Sequence, residues 1–435
     1  MKRLGGVGAE MVSRFCIIIG AGPAGLAAAM AAARGGQSVL ILEKNPQPGR
    51  KLLLAGGERA NLTDPASPAL EALEAYGRSG RFLRQALAAF SLGEFLQRLG
   101  VQTERDRDGP GEGSTHVRGG SRRLLNALLA EAGRLGVEIV RGAAVRSAAR
   151  GRDGGFEVAT KGRSWKCRRL IIATGGMTYP STGSTGDGYR LAGLFGHDVE
   201  PPRAALGALV TEPHFPPLAG VSVADALLTL RREGRKLATR RGALLFTHHG
   251  VSGPAALDLS LELARATPSP RDVPGTQLVA DLCPDTTGER ITEALLAAAR
   301  ASPKRRLANA AAIPALSVRL ATELARRAGI DPARPLGQIS RREFGSLAGI
   351  IKALTLVIRK PPDPRGAMVT VGGVDTRRLD PYTMESRISP GLHFAGELLS
   401  PAGPCGGYNL LMAFATGQAA GRGRGAVGRP DTANP

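Results

Sequence analysis

The sequence predicts an α/β fold whose main domain is three-layered and built from both ends of the chain. A β-branched strand near the N-terminus runs through a glycine-rich turn into an Ala-rich helix. Two later apolar segments, 169–176 and 391–397, also read as strands that end in small-residue turns. Between those segments the pattern changes to short strands and then to Ala/Leu/Arg-rich helices. We therefore predict a discontinuous Rossmann-like domain interrupted by a β-rich plus helical insert.

The first strand, turn and helix match the fingerprint of dinucleotide binding. The first strand is predicted over 15–19, the helix over 26–34 and the next strand over 39–42. The first glycine permits a tight turn, the second lets the backbone approach a pyrophosphate, and the third lets helix and strand pack closely. Glu43 stands at the end of the second strand, where a carboxylate can accept a hydrogen bond from a ribose hydroxyl. The predicted cofactor contacts in the turn are Gly20, Ala21, Gly22, Pro23, Ala24 and Gly25.

Three further segments favour FAD over NAD. Residues 49–63 follow the second strand and combine basic residues with a glycine pair, and the other two segments are the strand ends at 169–176 and 391–397. An NAD domain needs only the first fingerprint, whereas an extended FAD must be held by segments from elsewhere in the chain. We interpret CGGYNLLMAFATG (405–417) as the far half of this site, with paired glycines that let backbone approach a flat ring. The further predicted contacts are Lys44, Arg50, Lys51, Gly56, Asn61, Thr63, Val145, Thr174, Gly175, Gly176, Gly396, Glu397, Gly407, Asn409 and Leu410.

The domain boundaries follow the changes of pattern. The FAD-binding domain is predicted over 1–200 and 358–435, with a β-rich insert over 201–285 and a helical insert over 286–357. The β-rich insert contains a hairpin-like segment with its turn at 233–234.

The net charge of +21 favours a polyanionic partner through counterion release. Ribosomal RNA is the natural candidate, and an RNA could be gripped by basic clusters of the insert, Arg231-Arg232, Arg240-Arg241 and Lys304-Arg305-Arg306. The alternative is compositional, because an Arg-, Ala- and Gly-rich chain is typical of a GC-rich genome. Aromatic residues make up 4% of the chain and leave few platforms for base stacking. Charge alone leaves both interpretations open.

The cysteines and the N-terminal pattern indicate the cellular compartment. No two of the four cysteines form a C-x-x-C pair, so the sequence predicts neither a disulfide scaffold nor a metal site. Basic residues before the apolar run at 15–33 resemble a signal peptide, but that run changes from strand to helix within itself. We expect a cytoplasmic protein without membrane attachment. Residues 1–10 are interpreted as a frayed extension or a mis-assigned start.

Four blocks of the sequence resemble a known family. They are ATGGMTYPSTGSTGDGYRLAGLFGH (173–197), LLFTHHGVSGPAALDLS (244–260), VTVGGVDTRRLDPYTMESRISPGLHFAGE (369–397) and GGYNLLMAFATG (406–417). The chain resembles the BaiN/RdsA-type (YhiN-like) flavoproteins, which are related more distantly to fumarate reductase-type flavoproteins. The resemblance implies an FAD-dependent oxidoreductase. The activities it implies are reduction of uridine to dihydrouridine in large-subunit rRNA, reduction of C=C bonds in bile-acid-type steroids, and oxidation of small amines such as aminoacetone.

Two segments depart from the family pattern. Residues 55–64 read AGGERANLTD where the family usually has SGGGRCNLTN, so the cysteine and serine are absent and a carboxylate replaces a glycine. A Phe-Pro-Val-Ser-like segment is replaced by GPGEGSTH at 109–116, before a helix expected at 121–132. Both segments can face the flavin ring or the substrate. The departures suggest a divergent branch with its own substrate.

A flavin reductase needs an acid for the carbon that does not receive hydride. The candidate acids are Cys405, Tyr408 and His248; the alternatives are a small buried thiol, a tyrosine packed on the ring and a hydrogen-bonded loop histidine. No second dinucleotide fingerprint is visible, so NAD(P)H would dock transiently, or O₂ would take the electrons. The leading hypothesis is reduction of an rRNA uridine, which would have to be flipped out or modified before assembly. The alternatives are a small-molecule oxidoreductase and a non-catalytic flavin-containing RNA-binding assembly factor.

Overall fold

The computed structural model describes residues 11–106, 114–307 and 316–423. The predicted extension at 1–10 and most of the departing segment 109–116 lie outside the described residues. The chain divides into two compact units, the first formed by Met1–Arg203 with Met368–Pro435 and the second by Ala204–Ala367. The first unit is therefore discontinuous in sequence. The finer division into four segments stays a prediction.

Both units contain strands and helices. The strands are β1 Met11–Ile19, β2 Val39–Leu42, β3 Asn61–Leu62, β4 Thr103–Arg105, β5 Thr115–Val117, β6 Glu138–Val140, β7 Ser147–Arg150, β8 Phe156–Ala159, β9 Ser164–Ile172, β10 Val199–Ala205, β11 Leu209–Glu212, β12 Ser222–Arg232, β13 Arg235–Thr247, β14 Gly250–Ser252, β15 Thr276–Asp281, β16 Leu354–Lys360, β17 Val369–Val374 and β18 Leu392–Phe394. The helices are α1 Pro23–Arg34, α2 Arg50–Leu53, α3 Gly80–Ala88, α4 Leu92–Arg98, α5 Gly120–Arg134, α6 Asp187–Leu194, α7 Pro254–Ala266, α8 Gly288–Ala301, α9 Val318–Arg327, α10 Arg341–Lys352 and α11 Tyr408–Arg422.

The first unit is organised around a seven-stranded sheet of order β6-β2-β1-β9-β8-β7, in which β18 also pairs with β9. The pairs β6–β2, β2–β1, β1–β9 and β9–β18 are parallel. The register sets Ile19 beside both Leu42 and Ile172, and Phe394 beside Ile172. The carboxyl ends of β1, β2, β9 and β18 therefore meet at one edge of the sheet. In open α/β sheets this edge is where ligands bind.

The central strands are apolar on both faces because the sheet is covered on both sides. Parallel strands in such a position are near-continuous apolar runs rather than alternating ones. Ile17, Ile18 and Leu40 are fully buried, which accounts for the runs FCIII and VLIL. The predicted strand at 15–19 is part of the longer β1, and the predicted helix at 26–34 begins earlier, at Pro23.

Helices α1 and α11 approach each other closely through small residues. A Cβ added at Gly417 would lie 2.3 Å from the carbonyl oxygen of Ala24, and one at Gly421 would lie 2.2 Å from that of Ala28. Residues four apart lie on the same helix face. The two glycines thus form a groove on α11 that accepts the backbone of α1. The last helix of the chain is thereby fixed against the helix of the N-terminal fingerprint.

The second unit contains a closed barrel of order β11-β14-β13-β12-β15-β16 with its own hydrophobic core. The predicted hairpin with its turn at 233–234 is confirmed as β12 and β13. The last residues of the predicted helical insert, 354–357, belong instead to the strand β16, in which residues 354–358 alternate between buried and half-buried positions as strand residues do. The predicted α/β fold with a Rossmann-like domain and an inserted module is confirmed. Over the described ranges, no helix is long and apolar enough to cross a bilayer.

Candidate functional site

The fingerprint turn lies at the sheet edge where four parallel strands end. Gly20 has φ +103°, and a Cβ there would lie 2.5 Å from the carbonyl oxygen of Ala173, in the turn after β9. A Cβ at Gly25 would lie 1.9 Å from the carbonyl oxygen of Gly20, so this glycine permits the close packing of α1 on the turn. A Cβ at Gly22 would meet no described atom within 4 Å. Gly22 therefore borders open space, as a residue facing a ligand does.

Helix α1 begins at this turn. Gly22 is the N-cap residue and Pro23 follows at the first helical position, and no described side chain caps the helix. The first N–H groups of a helix have no partner within the helix and carry a partial positive charge. The start of α1 can therefore bind the diphosphate of a dinucleotide.

Glu43, directly after β2, is 6% exposed and accepts three hydrogen bonds from the protein. Its donors are the backbone N–H of Ala21 at 2.8 Å and the backbone and side-chain nitrogens of Asn45, both at 2.8 Å. An ionised carboxylate has about four acceptor sites, so one remains for a ribose hydroxyl. The N–H of Ala143 donates to the carbonyl oxygen of Glu43 at 2.8 Å, which brings the half-buried Val145 into the same neighbourhood.

The basic residues after β2 are engaged by protein groups. Lys44 Nζ contacts Thr185 Oγ1 and Asp187 Oδ2, both at 2.6 Å. Arg50 lies at the start of α2, with its guanidinium 3.5 Å from the side-chain oxygen of Asn45. Their predicted roles in FAD binding stay predictions.

A polar cluster joins four segments of the first unit. Lys51 Nζ donates to Glu397 Oε2 and to Thr178 Oγ1, each at 2.7 Å. Glu397 Oε1 accepts from the backbone nitrogen and the hydroxyl of Thr370, each at 3.0 Å. Burial, together with the negative charge of Glu397, raises the pKa of Tyr189 above its ordinary value. The cluster holds α2, the loop after β9, β17 and the turn after β18 in one arrangement.

The small-residue turn after β9 is shaped by this cluster. A Cβ at Gly176 would lie 2.2 Å from the hydroxyl of Thr370, and Gly175 has φ +75°. Thr174 Oγ1 would lie 2.1 Å from a Cβ at Gly188 in α6. Both contacts show that protein packing already requires glycine at 176 and 188. A cofactor is not needed to explain them.

The turn after β18 reaches the fingerprint helix. A Cβ at Gly396 would lie 2.7 Å from the Cβ of Ala24, and the N–H of Gly396 donates to Thr416 Oγ1 at 3.0 Å. The structure therefore brings Gly396, α1 and α11 together, although Ala24 and Gly396 are far apart in the sequence.

The glycine and asparagine at the start of α11 contact other parts of the protein. Gly407 is the N-cap with φ +90°, and a Cβ there would lie 2.3 Å from the backbone of Leu62. The side chain of Asn409 accepts from the N–H of Gly403 at 2.9 Å and donates to the carbonyl oxygen of the same residue at 2.8 Å. Gly407 thus accommodates backbone of the chain itself, and Asn409 closes the preceding loop. The N–H groups at the start of the helix, including that of Leu410, have no partner within the helix.

The segment beside this helix start contains a buried acceptor without a partner. Asn61 Oδ1 is buried and forms no hydrogen bond with any described group. Gly56, with φ +60°, leaves room for this amide, since a Cβ there would lie 2.7 Å from the Asn61 side-chain oxygen. Thr63 follows in the stretch that contacts Gly407. An orphaned buried acceptor costs free energy unless a ligand or water donates to it, so Asn61 fits a site that is completed by a cofactor.

A cluster that sequence reasoning missed lies on β4 and β5. Arg59 Nη2 is 2.8 Å from His116 Nδ1 and also contacts Asp106, and His116 Nε2 is 3.0 Å from Glu104 Oε1. Because a guanidinium only donates, His116 Nδ1 accepts and its Nε2–H donates to Glu104. The Arg59 guanidinium holds the pKa of Asp106 below its ordinary value. His116 pairs across strands with Asn61, a register that no local pattern predicts.

The three candidate acids are divided between the two units. Cys405 is half-buried just before α11, and Tyr408 opens that helix, where its carbonyl oxygen accepts from Tyr76 Oη at 2.7 Å. His248 lies in the second unit, exposed in the turn between β13 and β14. The structure brings Cys405 and Tyr408 into one helix start, and the catalytic role of each stays a prediction.

The fold and site define an FAD-binding protein of the Rossmann type. A parallel sheet edge carries an uncapped helix start, a buried acidic residue at the second strand end and an orphaned amide oxygen on a third segment. This chemistry fits the diphosphate, ribose and ring of FAD.

The comparisons with known proteins identify the family. The model of the HI0933-like protein Rossmann domain matches residues 14–423, and the chain belongs to that family. It is 30% identical over 413 residues to a ribosomal RNA dihydrouridine synthase of Haemophilus influenzae, with 93% of this chain and 96% of the relative covered. It is 31% identical over 412 residues to the 3-dehydro-bile acid delta(4,6)-reductase of Clostridium scindens, with 93% and 97% covered.

Among solved structures, an open form of a flavocytochrome c3 fumarate reductase shares the fold. The TM-score is 0.51 at 16% identity, with 94% of this chain and 78% of that chain covered. The predicted family and class are therefore confirmed: the protein is an FAD-dependent oxidoreductase.

Proposed function

We propose that this protein reduces a C=C bond and that its substrate is a uridine of large-subunit rRNA, which becomes dihydrouridine. The observation that carries the proposal is the similarity, over nearly the whole length, to a relative named a ribosomal RNA dihydrouridine synthase. The net charge of +21 supports a polyanionic substrate.

The reaction adds a hydride to C6 of the uracil ring and a proton to C5. FAD, when bound and reduced by NAD(P)H, would supply the hydride and return to its oxidised form. The start of α1 and the carboxylate of Glu43 would hold its diphosphate and ribose. Asn61 Oδ1 and the first N–H groups of α11 would hold its ring, because an orphaned acceptor and unpaired donors are present in those segments. NAD(P)H docking transiently would serve as the reductant.

Cys405 and Tyr408 are the candidate proton donors. Both lie at the start of α11, and Ala60, where the family usually has cysteine, is fully buried and has no acid to offer. The variants Cys405→Ser and Tyr408→Phe separate the two. Loss of dihydrouridine formation with normal flavin reduction by NAD(P)H identifies the acid. Wild-type activity in both variants would contradict this assignment.

The decisive experiment is nucleoside mass spectrometry of rRNA from a strain that lacks the gene. The expected result is loss of one dihydrouridine in large-subunit rRNA and its return with the wild-type gene. If a variant whose flavin cannot be reduced also restores the dihydrouridine, the protein is a non-catalytic assembly factor. Unchanged dihydrouridine content would refute the proposed substrate.

A small-molecule substrate is the second candidate, because the bile acid reductase is as similar to this chain as the rRNA-modifying relative. Both candidates share reduction of a C=C bond. Purified protein should be assayed with NAD(P)H against an unsaturated 3-oxo steroid and against unmodified rRNA. Turnover of the steroid alone would favour this second candidate.

A further inference from the structure

The tip of the β12–β13 hairpin concentrates positive charge. Arg231 lies opposite Lys236, and Arg232 lies opposite Arg235, on either side of the two-residue turn 233–234. Like charges directly opposite each other in a sheet are destabilising. The arrangement therefore works against the stability of the hairpin itself.

Few carboxylates neutralise these cations. Glu233 Oε1 lies 3.8 Å from Arg232 Nε and is itself 80% exposed. Among the described residues, no carboxylate forms an ion pair with Arg231, Arg235 or Lys236. The tip thus carries four cations against one acidic side chain.

A second basic pair on the same strand is neutralised. Arg240 pairs with Glu262 at 2.9 Å, and Arg241 pairs with Asp225 at 2.6 Å and Asp285 at 2.5 Å. The two clusters look similar in sequence, but Arg240 and Arg241 are neutralised by carboxylates whereas Arg231, Arg235 and Lys236 have no carboxylate partner among the described residues. The neutralised pair is therefore a matched control for the tip.

Three of the four cations are exposed. Arg231, Arg235 and Lys236 are exposed, whereas Arg232 is half-buried and its Nε is buried. Strand β12 also pairs with β15 as far as Arg232, which lies beside Thr276, so the hairpin is part of the barrel wall up to its turn. The three exposed cations therefore surround the two-residue turn at one end of the barrel.

We propose that this tip, residues 231–236, binds the phosphate backbone of structured RNA through its exposed cations. The inference rests on the proposed function, because it assigns the surface that holds the rRNA substrate. Exposed arginine and lysine side chains without a carboxylate partner can bind phosphates and release their counterions. Such contacts position a protein without reading sequence.

The test is equilibrium binding of the full-length, FAD-loaded protein to a stem-containing rRNA fragment at several KCl concentrations. The variants are R231Q/K236Q and R235Q for the exposed tip cations, and R240Q/R241Q is the control that removes as much charge as the first variant. Each lost phosphate contact lowers the slope of log K against log salt by about 0.7–0.9. The variant R231Q/K236Q should therefore lower the slope by about 1.4–1.8 and R235Q by about 0.7–0.9, and the control should leave it close to the wild-type value.

The outcomes separate this inference from the proposed function. If both tip variants bind RNA with the wild-type salt dependence, or if the control loses as much of the slope as they do, the inference is overturned and the proposed function stands. If polyglutamate competes as well as RNA, the partner is an acidic protein and the RNA assignment is overturned. Tip-dependent RNA binding without dihydrouridine formation refutes the proposed function and retains the inference.

Discussion

Replacing Gly417 with alanine should weaken both the first unit and its hold on FAD. The new Cβ would lie 2.3 Å from the carbonyl oxygen of Ala24, where ordinary contact needs about 3.4 Å or more. A backbone oxygen cannot rotate away, so α1 must shift relative to α11. Overpacking of this kind costs about 1–3 kcal/mol, and alanine returns up to roughly 1 kcal/mol of helix propensity. With the full propensity gain subtracted, the net loss of unfolding free energy is about 0–2 kcal/mol.

Urea denaturation of the apo-protein measures the change in stability, and quenching of flavin fluorescence measures FAD affinity. Affinity should fall because α1 carries the N–H groups that we assign to the diphosphate. Gly133→Ala is the matched control in the same unit. It lies in α5, a Cβ there meets no described atom within 4 Å, and alanine should stabilise by up to about 1 kcal/mol. Equal stability of both variants would refute the close-packing argument. Lower stability with unchanged FAD affinity would refute the placement of FAD at α1.

Three further predictions concern the same chain. Lys51→Met leaves the mostly buried Glu397 without its cation and should lower the free energy of unfolding by about 2–4 kcal/mol, measured by urea denaturation. Adding Glu397→Gln should recover part of that loss. If the effects of the two substitutions simply add, Lys51 and Glu397 do not stabilise each other and the prediction is wrong. A thiol reagent should modify one cysteine per native chain, Cys405, because the other three are buried and burial raises the pKa of Cys16 and Cys167 to about 12; a Cys405→Ser chain that still reacts quickly would contradict this. Burial lowers the pKa of His197 below its ordinary value, so the unfolded state binds the proton more readily and stability should fall as pH drops below about 6.5; His197→Gln should flatten that slope, and an unchanged slope would assign it to other groups.

The sequence by itself determined the class of the fold and the cofactor. A run such as FCIIIGAGPAG shows the hydrophobic periodicity, the turn and the glycine positions of a strand–turn–helix unit. All of these depend on residues that are close together in the sequence. The hairpin at Glu233 and Gly234 was predictable for the same reason. Residues 354–360 were not, because a short apolar stretch after helices reads alike as helix or strand.

The tertiary structure decided which side chains meet. Glu397 lies 346 positions from Lys51 yet forms an ion pair with it, and Gly407 is explained by backbone at Leu62. Likewise, Arg241 is neutralised while Arg235 is not, although both stand in similar basic sequence. Local periodicity fixes the face on which a residue lies, but ion pairs, orphaned acceptors and close approaches depend on three-dimensional distance between segments far apart in the chain. The pattern of residues within one segment cannot predict those distances.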